Sequence, residues 1–140
     1  MGIKERQQAA HFVLEAALAR LGPLPIPRLA AEIMERFRPE TPNATPRQHT
    51  DSDIAESIVP DCELLGPTGY DADQRTRLMH LICEGLQALE HASLLCICFE
   101  TRGSGRGDLY YLPTRRGLAA LWYGTVEASI RADEPRDAAP

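Results

Sequence analysis

The chain has no apolar run near the ~18 residues that a membrane-spanning helix needs, so no membrane partner is expected. Its first ten residues, MGIKERQQAA, are polar and do not form a secretory leader, and Arg6 stands where a myristoylation signal would have Ser or Thr. A cytoplasmic location is expected. Cysteine is scarce: Cys62, Cys83, Cys96 and Cys98 do not fall at zinc-finger spacing. Positive charge is in deficit, with a formal net charge of −5 over 140 residues. That balance counts against a surface that attracts phosphate everywhere, although binding depends on the local field. His11, His49, His80 and His91 are scattered, and no Ser-His-Asp set, Cys-His set or carboxylate pair is evident. The expectation is no enzymatic activity, no cofactor and no metal.

What is present is ordinary globular composition, 44% apolar and 25% charged, on a chain long enough for one domain with a proper core. A first helix is predicted over about 4–21, with Ala9, Phe12, Val13, Ala16, Ala17 and Leu21 as its buried stripe. Gly22 and Pro23 stop it. A second helix is predicted from Pro27 to Arg38, where Ile26, Leu29, Ala30, Ile33, Met34 and Phe37 recur at helical spacing.

Residues 39–70 then carry Pro39, Pro42, Pro46, Pro60 and Pro67 among many polar residues. They read as a long inserted loop with a short helix at 52–59, capped by Asp51 or Ser52. The loop is a candidate surface for a protein partner. Cys96 and Cys98 share one face of a predicted strand. A metal site joining them to Cys83, His80 or His91 is one reading. Burial as small apolar side chains is the other, and the preferred one.

The segment Asp73–Leu121 organises the rest. It begins with a third helix whose Leu78, Leu81, Ile82, Gly85, Leu86 and Leu89 face a core, with Asp71 or Asp73 as its cap and Gln74 completing a capping box. A hairpin follows, with strands at Leu94–Phe99 and Leu109–Leu112. The first strand is apolar on both faces and therefore expected to be covered on both. The tip between the strands, TRGSGRGD, is no nucleotide fingerprint, because no helix N-terminus lies directly behind it. A last helix is capped by Thr114 and carries Leu118, Leu121, Trp122, Thr125, Val126, Ser129 and Ile130 on its apolar side. Residues 131–140 read as a polar tail.

The run Tyr111-Leu112-Pro113-Thr114-Arg115-Arg116-Gly117 resembles the Tyr-x-Leu/Pro-Thr-x-x-Gly signature that closes the wing of many bacterial winged helix-turn-helix regulators, the multiple-antibiotic-resistance and phenolic-acid types among them. The resemblance spans Asp73–Leu121. It implies a mainly helical winged helix-turn-helix domain over 1–130, with 39–70 inserted between helices two and three and a C-terminal helix. It also implies sequence-specific binding of double-stranded DNA by a homodimer acting as a transcriptional regulator or repressor. Gln74, Arg75, Arg77, His80 and Glu84 would face the major groove, and Arg102, Ser104 and Arg106 on the wing would meet the backbone or minor groove. Phe12, Leu121, Trp122 and Val126 are the candidate dimer contacts. The alternative is a winged-helix adaptor that holds protein instead of DNA.

Overall fold

A computed structural model describes residues 2–65, 71–101 and 107–133, with residues 100, 101, 107 and 108 described by backbone alone. Among the described residues, six α-helices and one antiparallel hairpin follow in the order α1 (Ile3–Leu21), α2 (Ile26–Met34), α3 (Asp51–Ile58), α4 (Ala72–His91), β1 (Leu95–Thr101), β2 (Gly107–Pro113), α5 (Arg115–Tyr123) and α6 (Val126–Asp133). The arrangement is mainly helical and, in general terms, winged-helix-like.

The core is built on α2 and α4. Leu29, Ala30, Ile33 and Met34 of α2 meet Leu78, Ile82, Leu86 and Leu89 of α4, all fully buried. Gly85 makes the approach possible, because a Cβ there would lie 2.1 Å from Ile33 Cδ1. Pro27 at the start of α2 is buried and leaves no useful donor unpaired. Ile26, assigned to the apolar stripe from its spacing, is exposed instead, and the last turn tightens into a 3₁₀ turn at Glu35–Phe37 that seats Phe37 in the core.

The first helix is rotated from the expected stripe. Ala10, Leu14, Ala17, Leu18 and Leu21 are buried, whereas Ala9, Phe12, Val13 and Ala16 are exposed. An alanine-rich helix has two adjacent stripes of similar apolar character, so its partners decide between them. Here Arg6 pairs with Asp61, and the Gln7 amide donates to the Leu64 carbonyl at 3.1 Å.

Residues 39–65 are not an unstructured excursion. His49 and Tyr111 exchange two backbone hydrogen bonds, at 3.0 and 2.8 Å, adding a single bridge to the free edge of β2. The His49 ring meets Phe37 edge-on and shares a hydrogen bond with the Arg36 carbonyl. The chain then enters α3 through a reciprocal cap, in which Thr50 Oγ1 accepts from Asp53 N–H and the Asp53 carboxylate accepts from Thr50 N–H. The cap is therefore Thr50, one residue before Asp51 and two before Ser52, the expected caps. Ile54, Ala55, Val59, Cys62 and Leu65 carry the segment into the core.

The hairpin pairs Leu95 with Pro113 through Thr101 with Gly107. Its expected burial on both faces fails toward the tip: Ile97, Phe99 and Leu109 are exposed, Phe99 at 63%. They form one apolar patch, since Ile97 faces Tyr111 and Phe99 faces Leu109 across the strands. At the base, Thr114 Oγ1 accepts from Gly117 N–H at 2.9 Å and donates to the Ser93 carbonyl at 2.6 Å, capping α5 and tying it to the end of α4. The single last helix read from the sequence is in fact two, because Gly124 adopts the left-handed conformation (φ 67°) and closes α5.

Gly117 and Gly85 both allow close contacts, but the atoms facing them differ. A Cβ at Gly117 would lie 2.0 Å from the Leu94 carbonyl oxygen, which is backbone and cannot yield. At Gly85 the obstacle is the end of a flexible Ile33 side chain, and alanine would regain about 1 kcal/mol of helix propensity. Gly117→Ala is expected to lower unfolding free energy by roughly 1–3 kcal/mol, and Gly85→Ala by less. Urea titration of both variants checks this; a Gly117→Ala protein as stable as the parent would contradict the packing.

Candidate nucleic-acid interface

Helix α4 exposes one stripe along its whole length. Asp73, Arg77, His80, Glu84, Gln87 and His91 recur every three or four residues and all face solvent. The opposite side is the core face already described. Of the groove-facing candidates, Arg77, His80 and Glu84 lie on this stripe. Gln74 is half-buried on its α1 flank, where with Arg77 it lines a shallow cleft of about 300 Å³ shared with Glu15, Leu18 and Ala19.

Arg75 stands apart. Two residues along a helix turn a side chain by about 200°, so Arg75 and Arg77 point to opposite flanks. Arg75 enters a cleft of about 290 Å³ lined by Ser52, Asp53, Glu56, Cys62, Glu63 and Met79. Burial raises the Cys62 thiol pKa, while the charge of Arg75 and its hydrogen bond to the sulfur pull it down. The cleft is acidic, and the arginine that enters it faces carboxylates. The exposed stripe itself sets Asp73 and Glu84 against the single arginine. Arg102, Ser104 and Arg106 lie outside the described residues.

The entrance to α4 is fastened to α1. Asp71 occupies the N-cap position but makes no side-chain cap, contrary to the capping box with Gln74 expected from the sequence. Its carboxylate instead accepts from His11 Nδ1–H, and His11 Nε2 lies 3.2 Å from Glu15. Sequence reasoning missed this link, since nothing local connects positions 60 residues apart.

The four candidate dimer residues separate into two kinds. Leu121 and Val126, at 2% and 5% exposure, are buried within their own chain. Phe12 is 60% exposed, and Trp122 is partly exposed with the Arg38 guanidinium stacked 5.3 Å from its ring centre. Arg38 also forms a two-pronged pair with Glu35 at 2.8 Å and donates to the Leu121 carbonyl at 3.0 Å, which commits Trp122 partly to its own chain. Tyr123, beside it, is almost wholly exposed.

Among the described residues, no group of three or more His, Cys, Asp or Glu side chains is placed to hold a metal ion. No helix among them is long and apolar enough to cross a membrane. No family model, no curated protein and no solved structure matches the chain.

The His11 link has a defined pH signature. The hydrogen bond that His11 donates to the Asp71 carboxylate, reinforced by the charges of Asp71 and Glu15, raises the His11 pKa above its ordinary 6.5. A raised folded-state value means the stabilisation is complete below the unfolded value and is lost as pH climbs through the folded one. The urea midpoint of the parent should therefore exceed that of His11→Gln most below the unfolded value of about 6.5, with the gap closing as pH climbs through the raised folded value. A gap that widened with pH would refute the link.

Proposed function

We propose that this chain is a winged-helix DNA-binding regulator, of the general type its wing signature resembles, acting in the cytoplasm as a homodimer without cofactor or catalytic activity. The observation that carries the reading is the full-length exposed stripe of α4, set immediately before the hairpin in a fold where His49 pairs with the free edge of β2. A helix held by one face, with the other open and a hairpin beside it, suits insertion into a major groove with flanking backbone contacts. Arg77, His80 and Gln87 are the donors such a docking would use, with Gln74 at its edge.

The charge distribution limits how this docking works. Arg75 faces the acidic cleft, so it contributes little to phosphate binding. Phosphate contacts fall to Arg77, to Arg102 and Arg106 of the hairpin tip, and to Arg115 and Arg116, which are exposed at the start of α5. Each phosphate neutralised contributes about 0.9 to the slope of log affinity against log salt, so five cations set a ceiling of roughly 4.5 per protomer.

A second reading, a winged-helix adaptor that holds a protein partner, is favoured by the exposed patch of Ile97, Phe99 and Leu109 and by the acidic surroundings of Arg75. Residues 39–70 would add to its contact surface.

Fluorescence anisotropy with duplexes selected from genomic DNA, run across a salt series, separates the two. The regulator should bind with a slope inside that ceiling, and replacing Arg102 and Arg106 by alanine should reduce the slope by about 2. No duplex binding at low salt by an intact dimer would end the DNA reading. A stoichiometric protein partner that survives high salt and nuclease would then favour the adaptor.

A further inference from the structure

The two thiols of β1 form a feature that no duplex or protein contact requires. Cys96 and Cys98 lie two residues apart, so both project from the same face of the strand, opposite Leu112 and Tyr110. Cys96 is exposed and Cys98 half-exposed, unlike the buried Cys62. The preference for burial drawn from the sequence therefore fails at this pair. The strand repeat makes the two side chains neighbours on one face, and Cys96 Sγ–H donates to the Leu112 carbonyl at 3.5 Å.

Two solvent-facing thiols side by side can be oxidised or can share a metal ion. Their Cα atoms, two strand steps apart, are separated by about 6.6–6.8 Å. That is the upper edge of the roughly 4.4–6.8 Å that a disulfide spans, so closing one would pull the strand out of register with β2. A metal ion between the sulfurs asks for no such contraction. The softness of the two sulfurs then points to the metal. Among the described residues no third His, Cys, Asp or Glu completes a cluster here. Cys83, the other exposed thiol, lies on α4 near Asp51 and Tyr111, and Tyr111 belongs to the opposite face of the hairpin. Zinc, which takes four ligands in structural sites, is poorly served by the two thiolates alone. Soft thiolate donors suit Cu(I).

We propose that Cys96 and Cys98 form a two-thiolate site on the hairpin for a soft monovalent cation of the Cu(I) class. Binding is a simple exchange: two S–H bonds break, two S–Cu bonds form, two protons pass to solvent, and no electron is transferred. The site does not depend on what the hairpin docks against, so its test stands apart from the duplex titration.

The test is an anaerobic titration of the reduced full-length chain with Cu(I) against a chromophoric Cu(I) chelator, alongside Cys96→Ser, Cys98→Ser, Cys83→Ser and Cys62→Ser variants whose fold is verified by circular dichroism. The parent should withdraw one equivalent of Cu(I) from the chelator, and a parallel Zn(II) titration should show no stoichiometric uptake. Cys96→Ser and Cys98→Ser should each abolish uptake, while Cys83→Ser and Cys62→Ser keep it. Uptake that survives loss of both hairpin thiols, or that requires Cys83, overturns the assignment. So does a reduced parent that takes up no Cu(I).

Discussion

The close approach of α4 to α2 is the constraint on which the rest of the structure depends. Gly85 leaves room for Ile33, whose Cδ1 would lie 2.1 Å from a Cβ there. A buried isoleucine contributes about 1.5–3 kcal/mol, but its geometric consequence is larger than that figure suggests. Once Leu78, Ile82, Gly85, Leu86 and Leu89 are turned toward α2, the stripe from Asp73 to His91 must face outward. Interior packing therefore determines which side chains α4 offers to a partner. The same rotation sends Arg75 to one flank and Arg77 to the other, each lining a different cleft.

The hairpin inherits its position from the same helix. Leu94 N–H reaches back to the Leu89 carbonyl, and the Leu94 carbonyl accepts from Thr114 N–H. Gly117 packs against that same carbonyl, so the strand leaving α4 and the helix following the hairpin are clamped at one backbone group. On the other side, His49 fixes the edge of β2 and, through Phe37 and the Arg36 carbonyl, the end of α2. Helix, hairpin and the preceding segment are thus joined at the hairpin's base, and the strands beyond carry the exposed apolar patch on one face and the thiol pair on the other.

Local chemistry was legible in the sequence where a residue acts on its immediate neighbours. Thr114 before Arg-Arg-Gly read as a cap, and the apolar spacing of α4 gave its core face. The short helix inside 39–70 was also readable from the polar and acidic residues at its start, Asp51, Ser52 and Asp53. What could not be read was set by partners distant in the chain. The rotation of α1 follows from contacts to Asp61, Leu64 and Asp71, and the strand bridge at His49 from a residue more than 60 positions away. The resemblance sets Arg75 in the groove beside Arg77, whereas two steps along a helix turn a side chain by about 200° and Arg75 lines the cleft toward α3 instead. The exposed end of the hairpin left no local signal, since apolar alternation looks the same whether or not something covers it.

Charge and shape point in different directions on this surface, and the difference has a physical reading. A helix stripe that sets Asp73 and Glu84 against Arg77 gains little from a polyanion by attraction alone. If it meets a duplex, the cations around it must hold the backbone while α4 contributes base contacts, a division in which specificity and affinity come from different elements. Carboxylates near the groove would then discriminate, because a carboxylate such as Glu84 accepts from cytosine but repels a phosphate. On a protein partner the same carboxylates would select basic side chains, and Phe99 with Leu109 would supply the buried area. The geometry of α4 serves either role. What separates them is whether the cations at Arg102, Arg106, Arg115 and Arg116 add to one field, because a duplex requires that sum and a protein partner does not.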